Sequence, residues 1–408
     1  MPAPSPTPEV PSASPTPSPQ QASSDAPFTM PLLDALLDDQ EFVADAKKTV
    51  SLTDQELQKL RTAADENLST LDENEKGQRS ARGSSDSAKE KVKEILGRDR
   101  GEQFISLVGK EWAGETPNGS ESGNVPSDTR VVVNIPAFRM DVFDKGKLVK
   151  TYKIGIGYPE FPLPIGVRKA KQIIINPSWT PPDEPWVKGK VRPHEKVEAG
   201  SKLNPLGPIK IPIGGPSLIH GGKSPNRLGT FASHGCVGLT DQQVEDFAIQ
   251  ISSIAGKPIT IQDIKGYETK RDETKTIDLG KDVAVELRYE TIVVENGVLK
   301  IYRDVYERGT NTEDNLRRVL DASGVSLDKL DDQLKTNILN ALQMMNTDAA
   351  GRPVDGTIPG QWNANVANSN RSEESKKPPK ITGNIKGKKE FSFPIAQLAG
   401  KGYPAALP

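Results

Sequence analysis

The apolar residues of this chain recur with a period that changes along its length. From Pro31 to Trp112 the spacing is helical. Leu32, Leu33, Leu36 and Leu37 are followed by Phe42, Val43 and Ala46; then Leu57, Leu60, Ala64, Leu68 and Leu71 line one face. Thr53 and Glu56 form a capping-box signature just ahead of that second run. A polar break from Gly77 to Ser87 precedes another amphipathic run with Val92, Ile95 and Leu96. The pattern predicts a small helical bundle or hairpin over 31–112. Docking of an envelope partner is the alternative use of those faces.

Between Arg130 and Ile264 the period shortens to that of strands. "VVVNIP", "FRMDVF" and "LVKTYKIGIG" read as successive strands with a turn at Asp144–Gly146, and "KQIIINPSW" and "KPITIQ" add more. Dense Pro and Gly between them predict long, shaped loops. A further hairpin is expected from Ile277, with "VAVELRYETIVV" and "VLKIY" joined at Glu295–Gly297. Helical spacing then returns in Leu316, Val319 and Leu320, and in Leu330, Leu334, Ile338 and Leu342. The expected class is multidomain α+β: a helical region (31–112), a mainly β domain (130–265), and a β-hairpin with helices (277–348). A Pro/Ser-rich flexible tether (1–30) and a polar flexible tail (349–408) flank these parts.

Composition narrows the function. The formal net charge is −2, which gives no general attraction to nucleic acid. No stretch approaches the length of a membrane helix, and no basic segment followed by an apolar core marks a signal peptide in this numbering. One Cys and three His leave no internal disulfide and no set for a structural zinc site.

The chemistry is concentrated in one stretch: Ile219-His220-Gly221-Gly222, then Leu228-Gly229, then Ser233-His234-Gly235-Cys236-Val237-Gly238-Leu239. Taken singly, a lone Cys is usually a small buried hydrophobe, and a lone His is usually structural. Here the only thiol of the chain follows a glycine, among small residues that let backbone N–H groups approach a substrate. Two of the three histidines are close to it in sequence, and imidazole is the usual agent that activates a thiol near neutral pH. His194, in "VRPHEKVEAG", has no such company and reads as a loop residue.

This constellation resembles the catalytic motif of the L,D-transpeptidase (YkuD-type) family. Asn176-Pro177-Ser178-Trp179-Thr180-Pro181-Pro182 and Asn204-Pro205-Leu206-Gly207 add to the resemblance, which covers about 130–265. The later segment with Tyr289, Thr291 and "IYRDVY" resembles the hairpin that follows the catalytic domain in some members. The resemblance implies a mostly β, sandwich- or barrel-like catalytic domain. It implies a location in the cell envelope or periplasm, possibly tethered, and a role in peptidoglycan synthesis, wall organisation and cell shape. Peptidoglycan stem peptides would be donor and acceptor, with no metal and no cofactor.

Carried onto this sequence, the resemblance makes Cys236 the nucleophile and His220 the general base, oriented by the Gly221 carbonyl. The amides of His234, Gly235 and Cys236 would form the oxyanion hole, with Ser233 and His234 supporting the loop. Trp179, Arg227 and Lys223 are candidate substrate contacts. The implied reaction passes through a thioester acyl-enzyme, and carbapenem acylation would follow. One position departs from the family: Gly238 stands where Arg is common, and glycine can neither pair with a carboxylate nor brace the loop. Lys223, Arg227 or Lys210 would have to compensate. The departure leaves open a hydrolase of the same fold, a carboxypeptidase, endopeptidase or releaser of wall-attached protein. A wall-binding scaffold without catalysis is the third alternative.

Overall fold

The computed structural model describes residues 28–69, 81–113, 123–182, 195–348 and 385–408, together with 187, 191–192 and 351. Helices come first: α1 (Met30–Leu37), α2 (Gln40–Thr49), α3 (Asp54–Ser69), α4 (Ala81–Leu96) and α5 (Arg98–Ala113). Thr29 caps α1 by accepting from the Leu32 amide, and Pro31 occupies its first turn, where a missing N–H costs nothing. Thr53 and Glu56 close the expected capping box at the start of α3, with N–H···O distances of 3.0 and 3.2 Å. Leu33, Leu37, Leu60, Val92 and Phe104 meet in a common core. Burying side chains of this size supplies most of what holds such short helices, about 1.5–3 kcal/mol each.

The N-terminal helical region differs from expectation at two edges. Phe28 and Thr29, placed in the tether, belong to it; residues 1–27 lie outside the described residues. The break expected to reach Ser87 ends by Ala81, where α4 begins. The reason is a cap from far away. The carboxylate of Glu307 accepts from the amides of Ala81 (3.0 Å) and Arg82 (3.1 Å), which lets a Gly/Ser-rich segment start a helix. Leu71 and residues 77–80 lie outside the described residues.

The central unit is a curled eight-stranded sheet. Its strands are β1 (Arg130–Asn134), β2 (Arg139–Asp144), β3 (Lys147–Lys153), β5 (Gly166–Ile175), β6 (Ile209–Pro212), β7 (Leu218–His220), β9 (Val237–Gly238) and β10 (Lys275–Arg288). Their spatial order is β3-β2-β1-β10-β5-β6-β7-β9, with β1–β10 and β7–β9 parallel and the other pairs antiparallel. The β2–β3 turn falls where Asp144–Gly146 predicts it, with Lys145 and Gly146 both at positive φ (49° and 78°). β4 (Ile156–Gly157) and β8 (Phe231–Ser233) form a small parallel pair beside the sheet. Paired hydrogen bonds of 2.9 Å between Gly155 and Gly238 join the two. Helix α6 (Asp241–Ile254), with a Thr240/Gln243 capping box, packs Val244, Phe247 and Ile251 into the sheet's core.

"KPITIQ" is not a strand. Thr260 and Asp263 make a reciprocal capping box, and α7 (Ile261–Glu268) begins there, so local capping outweighs β-branched propensity. The expected long hairpin strand is two strands. β10 is inserted between β1 and β5, which carries the central sheet past residue 265 to Arg288. After Tyr289–Thr291 the chain enters a second sheet, where β11 (Ile292–Glu295) and β12 (Val298–Tyr302) form the hairpin around Asn296-Gly297. Helices α8 (Glu313–Ala322) and α9 (Asp332–Met345) cover it, as the apolar spacing predicts.

The last stretch is not a tail where it is described. Alternating Phe391 and Phe393 lie in β13 (Glu390–Pro394), which pairs antiparallel with β12. Tyr403 then packs edge-on against Phe143, at 5.8 Å between ring centroids, and its hydroxyl reaches Asp141 at 3.1 Å. Residues 352–384 lie outside the described residues. Among the described residues no helix is long and apolar enough to cross a membrane.

Candidate active site

His220 ends β7, and Cys236 immediately precedes β9, its parallel neighbour. The register pairs Ile219 with Val237 and His220 with Gly238. Side chains two residues apart on a strand share a face, so this register turns Cys236 and His220 to the same side. Both line one cavity of about 520 Å³.

His220 is buried, and its Nδ1 is 2.7 Å from the Gly221 carbonyl oxygen. A carbonyl can only accept, so Nδ1 carries the proton and Nε2 bears the lone pair. Burial, seconded by the Lys223 charge, pushes the imidazole down to about 3, against the pull of the Gly221 and Leu206 backbone. The Cys236 thiol is pushed up by burial, while a hydrogen bond from the Leu218 backbone and the charges of Lys223 and Lys210 work the other way. The resting pair is therefore a neutral thiol beside a neutral imidazole.

The Ser233–Cys236 loop is tied to itself. Ser233 Oγ donates to the Cys236 carbonyl and accepts from the Cys236 amide at 3.0 Å, while Ser217 Oγ donates to the Gly235 carbonyl at 2.9 Å. The Cys236 amide, expected as an oxyanion donor, is thus turned to Ser233. The His234 ring is wedged edge-on between Tyr158 (5.1 Å) and Phe161 (4.7 Å). Gly157 must be glycine for this packing: a Cβ there would lie 2.1 Å from the Phe161 carbonyl oxygen and 3.2 Å from the Gly235 nitrogen. Tyr306, from the loop after β12, supports the same place. Its hydroxyl donates to the Gly157 carbonyl at 2.9 Å, and its ring stacks between Phe231 and Tyr289.

Of the three candidate substrate contacts, two border the cavity. Trp179 and Lys223 line it; Arg227 does not. Arg227 Nη2 instead donates to the Tyr158 hydroxyl (2.9 Å) and the Phe231 carbonyl (2.7 Å), which ties Tyr158 to the start of β8. Lys223 accounts for the space at Gly238. A Cβ on Gly238 would fall 2.8 Å from Lys223 Cγ and 2.9 Å from Cε, so the lysine stem lies across the glycine. Lys210 lines the cavity as well, with Nζ 3.2 Å from the Ser178 carbonyl oxygen. His194 lies outside the described residues.

Sequence motifs missed Tyr158, Phe161 and Ser217, whose roles depend on neighbours distant in the chain; Tyr306 closes the "IYRDVY" segment, but its contact with Gly157 had no sequence signal. They also missed the helical wall of the cavity, formed by residues of α1 and by Trp112. Asn176 and Asn204 prove to be braces for long loops. Asn176 Nδ2 donates to the carbonyls of Tyr267 and Lys270 (2.9 and 3.0 Å), and Asn204 Nδ2 to that of Pro177 (2.7 Å).

Among solved structures, the chain is similar to the catalytic domain of the Enterococcus faecium L,D-transpeptidase. The two share 16% identity, with a TM-score of 0.26 over 40% of this chain and 100% of that one. It is also similar to an L,D-transpeptidase from Mycobacterium smegmatis (16% identity, TM-score 0.24, 40% of this chain and 58% of that one). A third is L,D-transpeptidase 3 from Mycobacterium tuberculosis in complex with a faropenem-derived adduct (15% identity, TM-score 0.23, 39% and 60%). Likenesses at this level carry no weight for function. No curated protein matches the chain. The family model for YkuD, the L,D-transpeptidase catalytic domain, matches residues 128–269, and with them the stretch that holds His220 and Cys236.

Proposed function

We propose that the protein is a peptidoglycan L,D-transpeptidase that works through a thioester on Cys236. One arrangement supports this above the others: a thiol and an imidazole share one cavity, and the Gly221 carbonyl fixes Nδ1 so that Nε2 is left to act as base. Cys236 Sγ attacks the carbonyl carbon of the amide between an L-centred and a D-centred residue of a donor tetrapeptide. Its proton passes to His220 Nε2. The amides of His234 and Gly235 hold the developing oxyanion, since the Cys236 amide is taken by Ser233. Collapse breaks the C–N bond, and the imidazolium returns the proton to the departing D-amino acid.

An amine of a second stem then attacks the thioester and restores the thiol. Lys223 and Lys210 set positive charge beside the reacting groups, where a carboxylate of the donor would be held. The substrate places this action in the cell envelope. The test is incubation of the purified full chain with disaccharide tetrapeptide, followed by product identification. Loss of the terminal D-residue with formation of a cross-linked dimer is expected. A tripeptide as the sole product would make water the acceptor and the protein a carboxypeptidase. Turnover that persists in Cys236→Ala would refute the mechanism.

A further inference from the structure

Helix α1 has two working faces. Leu33, Leu36 and Leu37 face the core of the helical region. Pro31, Asp34, Ala35 and Asp38 stand at i, i+3, i+4 and i+7, which is a single helix face, and all four line the cavity that holds Cys236 and His220. Trp112, at the end of α5, lines the same cavity. It is 4% exposed, and its indole Nε1–H has no hydrogen-bond partner among the described residues. A buried donor without an acceptor is costly, and a small shift of the cavity wall that admits a ligand oxygen would remove that cost. The ring is held in place: the Arg168 guanidinium lies 5.8 Å from its centroid and donates to the Trp112 carbonyl at 2.9 Å.

The wall is fixed to the catalytic loop. Thr29 Oγ1, at the start of α1, donates to the Glu160 carbonyl at 2.7 Å in a buried contact. The next residue, Phe161, carries the packing against His234. At the other side of the region Glu307 caps α4 one residue after Tyr306, which props Gly157. The helical region is thereby built onto the same short segments that position Cys236.

We propose that the helical region is the second wall of the catalytic cleft and selects its substrate. The α1 face sets the width through Ala35, and Trp112 donates its indole N–H to a main-chain carbonyl of an extended peptide. The identity of that peptide as a stem peptide rests on the function proposed above; the existence of the wall does not.

The test uses the full chain with Ala35→Trp, and Ala35→Leu as a milder variant that keeps the question answerable if the larger one does not fold. Cys236 is titrated with two thiol reagents, iodoacetamide and the bulky fluorescein-5-maleimide. The maleimide rate is expected to fall about tenfold in Ala35→Trp and less in Ala35→Leu, while the iodoacetamide rate stays within about twofold. With disaccharide tetrapeptide, KM rises in step with the maleimide effect. Trp112→Phe, which keeps the ring and removes the donor, raises KM about fivefold with kcat unchanged. A ratio of maleimide rate to iodoacetamide rate that is the same in wild type and in both Ala35 variants would overturn the wall. A size-dependent loss of reactivity in a protein that never turns over tetrapeptide would uphold the wall and overturn its assignment to stem peptide.

Discussion

The Ser233–Cys236 loop and helix α1 border one cavity but are held there by hydrogen bonds of different reach along the chain. The loop is secured locally: Ser233 and Cys236 bond across three residues, and Ser217 and Gly235 across 18. The wall is secured at a distance: Thr29 and Glu160 are separated by 131 residues, and Ala81 and Glu307 by 226. The reactive groups thus lie in a short segment that ties itself together and is braced from outside by Phe161 and by Tyr306 through Gly157. The shape of the cleft depends on how three regions of the chain close around that segment.

The sharpest way to break this comparison is to strike where the two kinds of support meet. Gly157→Ala puts a methyl group against the Phe161 carbonyl and the Gly235 nitrogen while leaving every reacting group in place. Displacement of the loop by about an ångström is expected to lower kcat about a hundredfold. Steady-state turnover beside a denaturation curve checks it. Unchanged turnover would mean that the loop holds itself without Gly157.

A smaller effect tests the local half alone. With His220 pushed down to about 3 and Cys236 pushed up, the thiol is protonated at neutral pH. Alkylation by iodoacetamide follows the thiolate, so its rate should climb about tenfold per pH unit from pH 6 to 8. A plateau below pH 7 would reveal a preformed thiolate–imidazolium pair instead. The stability sign follows from the same burial. As pH falls through about 6.5, the unfolded chain protonates His220 while the folded chain stays neutral. Stability contributed by the neutral imidazole is therefore lost between that pH and about 3.

What was legible in the sequence follows the same division. His220 and Cys236 stand out because a thiol needs a base, and both lie in one glycine-rich stretch; the roles of Gly221 and Ser233 came from the family resemblance alone. The amphipathic helices, the turns at Lys145-Gly146 and Asn296-Gly297, and the α+β class were legible for a similar reason: each is set by local periodicity or turn chemistry. Helix α7 was hidden by its β-branched start, although Thr260 and Asp263 spelled its cap. The Phe391/Phe393 alternation of β13 was diluted by the polar run around it. The start of α4 had no local signal at all, since its cap is supplied by Glu307. The cavity-facing stripe of α1, with Asp34 and Asp38 among its four residues, matches no motif, and only tertiary closure brings it to the cavity.

The proposed activity depends on one step, covalent acylation of Cys236 in this cleft. The most direct measurement is the intact mass of the full chain after incubation with a carbapenem. One adduct per chain is expected on the wild type and none on Cys236→Ala. A wild type that gains no mass, or an adduct that persists without the thiol, would contradict the account.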